Sequence, residues 1–137
     1  MIIDTSVAVK WFYEEAETPR ALRLFEGIIG HSIRAVVPDL LFYEFANVLK
    51  TKGKADRVKT EGTLAVLHEL PWTVIEPSQH FMGHALQVAE QYGISVYDAS
   101  YVALAFEWDV PLITADERLA RLVGAPTVQL LKEYEKQ

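Results

Sequence analysis

The sequence predicts an α/β fold, a three-layer α/β/α sandwich whose central sheet is mainly parallel. Short β-type runs alternate with helical segments along the whole chain, and this alternation is typical of parallel sheets with helices on both faces. Half of the 137 residues are hydrophobic and none is cysteine, so the chain can bury a core of ordinary size without disulfides. We therefore expect residues 1–137 to form a single domain.

Apolar and β-branched runs mark the expected strands, and apolar residues at helical spacing mark the helices. The strands are predicted at Met1–Ile3, Arg34–Val37, Trp72–Ile75, Val110–Thr114 and Thr127–Leu130. The helices are predicted at Ser6–Phe12, Pro19–Ile29, Asp39–Thr51, Ala55–Leu70, Ser78–Tyr92, Tyr97–Trp108 and Asp116–Val123. Pro38 is expected to end the second strand, Gly53 the third helix and Gly93 the fifth. The sixth helix is almost wholly apolar, which predicts burial on several sides.

The chain carries a formal charge of −6, from 13 basic and 19 acidic residues. An acidic chain has no general attraction for nucleic acid, but carboxylates that bind cations would account locally for most of the excess. The lack of cysteine excludes thiolate zinc sites and thiol nucleophiles. No apolar run approaches the length of a membrane span, and Asp4 comes too early to leave room for a signal peptide. These features predict a cytoplasmic protein without membrane contact.

Three aspartates each have two interpretations. Asp4 and Asp116 follow predicted strands, and ligands of open parallel sheets bind beyond the carboxyl ends of the strands. Asp98 opens the sixth helix, whose apolar character places it close to the interior. Each of the three could instead cap the helix that begins there. For Asp4 and Asp116 the sequence favours neither interpretation, whereas for Asp98 it slightly favours a functional role.

Glu44 has no such alternative, because it lies in the second turn of its helix and cannot cap it. Its neighbours at helical spacing are Leu40, Leu41 and Val48, so its carboxylate falls on or beside an apolar stripe. An unpaired carboxylate is costly to bury there, and its own helix offers no basic partner at that spacing. Glu44 is either an edge side chain that reaches solvent or a residue that needs a cation.

Carboxylates held close together raise one another's pKa values unless a cation lies between them. Mg²⁺ and Mn²⁺ prefer carboxylate oxygens as ligands. Such an ion can polarise a phosphoryl group, activate a water molecule and neutralise developing charge. If Asp4, Glu44, Asp98 and Asp116 meet at one end of the sheet, they form a divalent metal site, with one ion or two, suited to phosphodiester hydrolysis.

Four segments in a fixed order carry a resemblance to a known family. They are Ile2–Ser6, Pro38–Leu49, Tyr97–Ala105 and Leu112–Leu119. The chain resembles PIN-domain proteins, in particular the toxin ribonucleases (VapC type) of toxin–antitoxin pairs, and the resemblance runs over nearly the whole chain. It implies a parallel sheet flanked by helices and cleavage of RNA with Mg²⁺ or Mn²⁺. It also implies a homodimer and a small antitoxin that holds the toxin inactive.

The resemblance assigns roles to two sets of residues. The metal-binding carboxylates are expected at Asp4, Glu44, Asp98 and Asp116. The polar helpers are expected at Thr5, Ser6 and Thr114. Basic side chains near these positions are candidates for contacts with RNA phosphates, and they are Arg118, Arg121 and Lys10.

Other functions remain open at this stage. Within the family, the chain could be an RNA-processing nuclease without an antitoxin, or a catalytically inactive PIN-like binding module. A response-regulator receiver or a phosphatase with an aspartate nucleophile is disfavoured. Both would need a further acid close behind the first strand, where this chain has Thr5 and Ser6.

Overall fold

A five-stranded parallel sheet forms the centre of the computed structural model, which describes residues 1–52 and 56–134. The strands are β1 (Ile2–Ile3), β2 (Val36–Pro38), β3 (Thr73–Ile75), β4 (Leu112–Thr114) and β5 (Val128–Leu130). Their spatial order is β3-β2-β1-β4-β5, and every pairing is parallel. Along the chain, β1, β2 and β3 are therefore added in one direction across the sheet, and β4 and β5 are added on the other side of β1. The order reverses between β1 and β4, and such a switch point opens a crevice at the carboxyl ends of the strands.

Seven α-helices and one 3₁₀ helix occur in the described parts of the chain. The α-helices are α1 (Thr5–Ala8), α2 (Thr18–Ile29), α3 (Leu40–Lys52), α4 (Arg57–Glu69), α5 (Gln79–Tyr92), α6 (Val96–Trp108) and α7 (Glu117–Val123). The 3₁₀ helix, Val9–Trp11, continues α1, where one longer helix was predicted. The predicted α/β/α sandwich with a parallel sheet is confirmed. None of these helices combines the length and the apolar character needed to cross a membrane.

The predicted end of the second strand differs from the structure, and two predicted helix boundaries fall outside the described residues. The sequence predicted that the second strand stops at Val37, before Pro38. In the structure Pro38 belongs to β2 as its last residue and pairs with Ile75. Proline lacks only its own N–H, and the next residue, Asp39, donates to the carbonyl of Ile75 at 3.0 Å. The predicted helix end at Gly53 and helix start at Ala55 lie outside the described residues.

Helix α6 lies at the centre of the packing, against β1, β2, β4 and α5. Residues 99–105 are all buried, which confirms the burial predicted from their apolar character. A polar side chain on this stretch must find a partner inside the protein. The hydroxyl of Ser100 donates back to the carbonyl of Val96 at 2.8 Å, whereas Tyr101 reaches out to another helix.

Replacement of glycine by alanine should have opposite effects on stability at two positions, one inside α5 and one at its end. Gly93 ends the helix with φ at 63°, and a Cβ there would meet nothing within 4 Å. Gly93→Ala should therefore lower the free energy of unfolding by about 1 kcal/mol, through backbone strain alone. Gly83 lies inside the helix, also with nothing within 4 Å, so Gly83→Ala should raise it by about 0.5–1 kcal/mol through helix propensity. Urea unfolding measures both values, and shifts of the same sign would contradict this account.

Candidate active site

The candidate site lies at the switch point of the sheet, where two aspartates follow neighbouring strands. Asp4 comes directly after β1, and Asp116 comes two residues after β4. Both also cap the next helix, since Asp4 Oδ1 accepts from the Val7 N–H at 3.2 Å and Asp116 Oδ1 from the Leu119 N–H at 3.0 Å. The cap interpretation is thus correct for both residues. It does not exclude a second role, because a carboxylate has more lone pairs than a cap uses.

Asp4 is buried, with only 6% of its surface exposed. Ser6 Oγ donates to its Oδ1 at 2.6 Å, and Thr114 Oγ1 donates to its Oδ2. Burial nevertheless raises the pKa of Asp4 to about 6, although the hydrogen bonds from Ser6, Thr114 and Val7 act to lower it. The negative charge of Glu44 raises this pKa further. The protein thus holds the carboxylate in place without offsetting the hydration that it has lost.

Ser6 and Thr114 tie the segment after β1 to the segment after β4. Each hydroxyl donates to Asp4 and accepts a backbone N–H in return. Ser6 Oγ accepts from Ala115 at 2.8 Å, and Thr114 Oγ1 accepts from Asp116 at 3.0 Å. A hydroxyl has a single proton, so these bonds direct both protons towards the Asp4 carboxylate. Two of the three helper residues expected from the sequence, Ser6 and Thr114, therefore contact Asp4.

Glu44 lies half-buried on α3, and its partners come from two other helices. Thr5 Oγ1 donates to Glu44 Oε2 at 2.6 Å, and the Tyr101 hydroxyl donates to the same oxygen at 2.5 Å. The two hydroxyl oxygens lie 2.9 Å apart. The sequence left two interpretations of Glu44 open, an edge side chain or a residue that needs a cation, and the partners found in the structure are two hydroxyl groups. Its other oxygen, Oε1, accepts no hydrogen bond from any residue within 1–52 or 56–134.

Tyr101 was not among the residues predicted for the site. Its side chain is only 2% exposed, and burial raises the pKa of its phenol well above the usual value, with the charge of Glu44 raising it further. The hydroxyl therefore stays a proton donor. A signal for it existed in the sequence, because a tyrosine in an apolar helix needs a partner for its hydroxyl. Glu44 needed a partner too, and its own helix offers no basic residue at helical spacing.

Asp98 does not cap α6, and the cap interpretation for this residue was wrong. The cap is Ser95, whose extended backbone precedes the helix and whose Oγ accepts from the Asp98 N–H at 3.0 Å. Asp98 thus lies in the first turn, where the helix dipole favours an acid. Its half-buried carboxylate accepts no hydrogen bond from the described residues. No structural bond would be lost if this carboxylate were changed.

The three basic candidates for phosphate contacts differ in their surroundings. Lys10 is 8% exposed, and its Nζ lies 3.1 Å from Glu15 Oε2. It also lines a cavity of about 140 Å³ that Ala115 borders, so it lies beside the segment that follows β4. Arg118 and Arg121 are exposed on α7. The two arginines are open to solvent, whereas Lys10 already has a carboxylate partner.

The acidic residues can be tested as ligands for a divalent cation. Within residues 1–52 and 56–134, no three acidic or histidine side chains are grouped closely enough to hold an ion between them. Asp4 and Glu44 lie within each other's electrostatic field, but Asp98 and Asp116 do not complete such a group. Mg²⁺ binds proteins through one or two carboxylates and keeps several waters. The uncompensated charge of Asp4 and the uncommitted oxygen of Glu44 therefore fit a hydrated Mg²⁺ or Mn²⁺ ion.

Comparisons with known proteins identify the family. A sequence model described as the PIN domain matches residues 1–125. Ribonuclease VapC1 of Mycobacterium tuberculosis is 30% identical over 128 residues, which cover 91% of this chain and 92% of that protein.

Two solved structures are similar in fold. PAE2754 from Pyrobaculum aerophilum has a TM-score of 0.69 at 21% identity, over 96% of this chain and 88% of the other. A toxin–antitoxin complex from Klebsiella pneumoniae has a TM-score of 0.67 at 18% identity, over 98% of each chain. At such identities the structures show a shared fold and no more. The sequence match spans nearly the whole chain, and this protein therefore belongs to the PIN domain family.

Proposed function

We propose that this chain is a ribonuclease that hydrolyses RNA phosphodiester bonds with Mg²⁺ or Mn²⁺ and acts as the toxin of a toxin–antitoxin pair. The observation that carries the proposal is the buried carboxylate of Asp4 beside Glu44, at the switch point of the sheet. RNA as the substrate is supported by the 30% identity with a protein named ribonuclease VapC1. The likeness to a chain of a toxin–antitoxin complex supports an antitoxin partner.

Each residue of the site has a part in this proposal. Asp4 and Glu44 would hold the ion, while Asp98 and Asp116 would reach it directly or through water. When bound, the ion would polarise the phosphoryl group and neutralise the charge that develops on it. Ser6 and Thr114 keep the Asp4 carboxylate oriented, and Thr5 does the same for Glu44. The free carboxylate oxygens of Asp98 are available to accept a hydrogen bond from a water molecule and so orient it.

The phosphate backbone of the RNA would meet the arginines of α7. A guanidinium can donate two parallel hydrogen bonds to one phosphate, and Arg118 and Arg121 follow Asp116 within one and a half turns of helix. Lys10 would have to leave Glu15 before it could contact a phosphate. The arginines are therefore the better candidates. We further propose a homodimer in the cytoplasm, bound by a small antitoxin.

The metal mechanism is tested best at Asp98, because its carboxylate makes no structural bond. Asp98→Asn should lower RNase activity with Mn²⁺ by about 100-fold while leaving the melting temperature nearly unchanged. EDTA should abolish the activity of the wild type. Asp109→Asn, at the opposite end of α6 and exposed, is the matched control and should keep full activity. Activity that survives both EDTA and Asp98→Asn would refute the mechanism.

The raised pKa of Asp4 predicts how stability depends on pH. Between its ordinary pKa of 3.8 and the folded value of about 6, the folded state binds more protons than the unfolded state. The free energy of unfolding should therefore fall as the pH rises through this range. Without metal, the wild type should lose about 3 kcal/mol relative to Asp4→Asn by the time the pH exceeds 6.

Mg²⁺ should restore that stability above pH 6, because it binds the ionised carboxylate and stabilises the folded state by mass action. Urea unfolding of both variants across this pH range, with EDTA or with Mg²⁺, provides the measurement. Parallel pH profiles for the wild type and Asp4→Asn would show that Asp4 is not desolvated as described.

The toxin assignment has a separate test in cells. Expression of the chain alone in a bacterial host should arrest growth, and expression of Asp98→Asn should not. If a small protein is encoded immediately upstream of this chain, its co-expression should restore growth. Normal growth of cells that contain active wild-type enzyme would instead favour an RNA-processing nuclease without an antitoxin.

A further inference from the structure

We propose that Tyr101 is a positioning residue that fixes the carboxylate of Glu44 for a divalent cation. The inference rests on the proposed function, because it assumes that Glu44 is a metal ligand. It adds a residue from the buried face of α6 to a site that otherwise consists of acids and small hydroxyl side chains.

Two hydrogen-bond donors fix the orientation of the Glu44 carboxylate. Thr5 on α1 and Tyr101 on α6 both donate to the same oxygen, Oε2, at 2.6 Å and 2.5 Å. The terminal torsion of a glutamate is broad and poorly defined by itself. Two donors converging on one oxygen from two helices define the plane of this carboxylate. They leave Oε1 as the oxygen that is free to bind a ligand.

Tyr101 is held more rigidly than Thr5. Tyr101 is 2% exposed on a helix that packs against three strands of the sheet. Thr5 belongs to a helix of only four residues. The tyrosine ring has two side-chain torsions, both confined by packing, so it is the firmer of the two anchors. Through its hydrogen bond to Glu44, Tyr101 fixes the position of this carboxylate on α3 relative to the sheet.

Tyr101 lies on the same face of α6 as Asp98. It lies three residues after Asp98, and residues at this spacing share one face of a helix. One face of α6 therefore presents a half-buried acid in its first turn and a buried hydroxyl group one turn further along. A single helix sets the position of Asp98 directly and that of Glu44 indirectly.

Tyr101→Phe removes the hydroxyl group and keeps the ring. Loss of an outer partner of a metal ligand typically weakens metal binding by 10–100-fold, so Mn²⁺ affinity of the metal-free protein, measured by calorimetry, should fall roughly tenfold. The matched control is Tyr92→Phe on α5. That ring packs against Phe106, and its hydroxyl bonds to none of the described residues, so Mn²⁺ affinity should not change.

A double-mutant cycle separates positioning from packing. In a Glu44→Gln background, Tyr101→Phe should cause no further loss of Mn²⁺ affinity, because the residue through which it acts has been altered. An equal loss in both backgrounds would assign the effect to packing and overturn the inference. Mn²⁺ binding by Tyr101→Phe that equals the wild type would overturn the inference while the proposed function stands. Absence of Mn²⁺ binding by the wild type would overturn both.

Discussion

The burial of one negative charge, on the carboxylate of Asp4, is the constraint on which the rest of the site depends. β1 lies between β2 and β4, so the residue that follows it emerges in the middle of the sheet, where water is largely excluded. Ser6, Thr114 and the Val7 backbone satisfy the carboxylate oxygens. They do not replace its hydration, because its pKa stays well above the ordinary value. This desolvated charge is the observation on which the proposed cation site rests.

Much of this arrangement could be predicted from the sequence, because it follows from local rules. The alternation of strands and helices predicts a parallel sheet, and the carboxyl ends of its strands place Asp4 and Asp116. The position of Glu44 inside a helix, next to apolar neighbours, predicted either an edge side chain or a residue that needs a cation. Each of these inferences uses residues within a few positions of one another.

Two kinds of feature could not be predicted from the sequence. In one, two residues are equally suited to the same role, and in the other, the contact joins residues far apart in the chain. Ser95 and Asp98 are both good cap residues three positions apart, and only the backbone conformation selects the serine. The bond between Tyr101 and Glu44 joins residues 57 positions apart, so no local pattern contains it. The four carboxylates were expected to meet, but the described structure couples Asp4 and Glu44 and forms no group of three. The spacing of acids along a chain does not give the distances between them.

The paired hydroxyls of Ser6 and Thr114 also limit how the chain can vary in length. Each accepts an N–H from the segment that follows β4 while donating to Asp4. An inserted residue between Thr114 and Asp116 would shift one of these N–H groups away from its hydroxyl and leave it without a partner. We therefore expect this short connection to tolerate neither insertions nor deletions, even where substitutions of the surrounding side chains are tolerated. Length changes would be accommodated instead in connections that have no bond to the carboxylate.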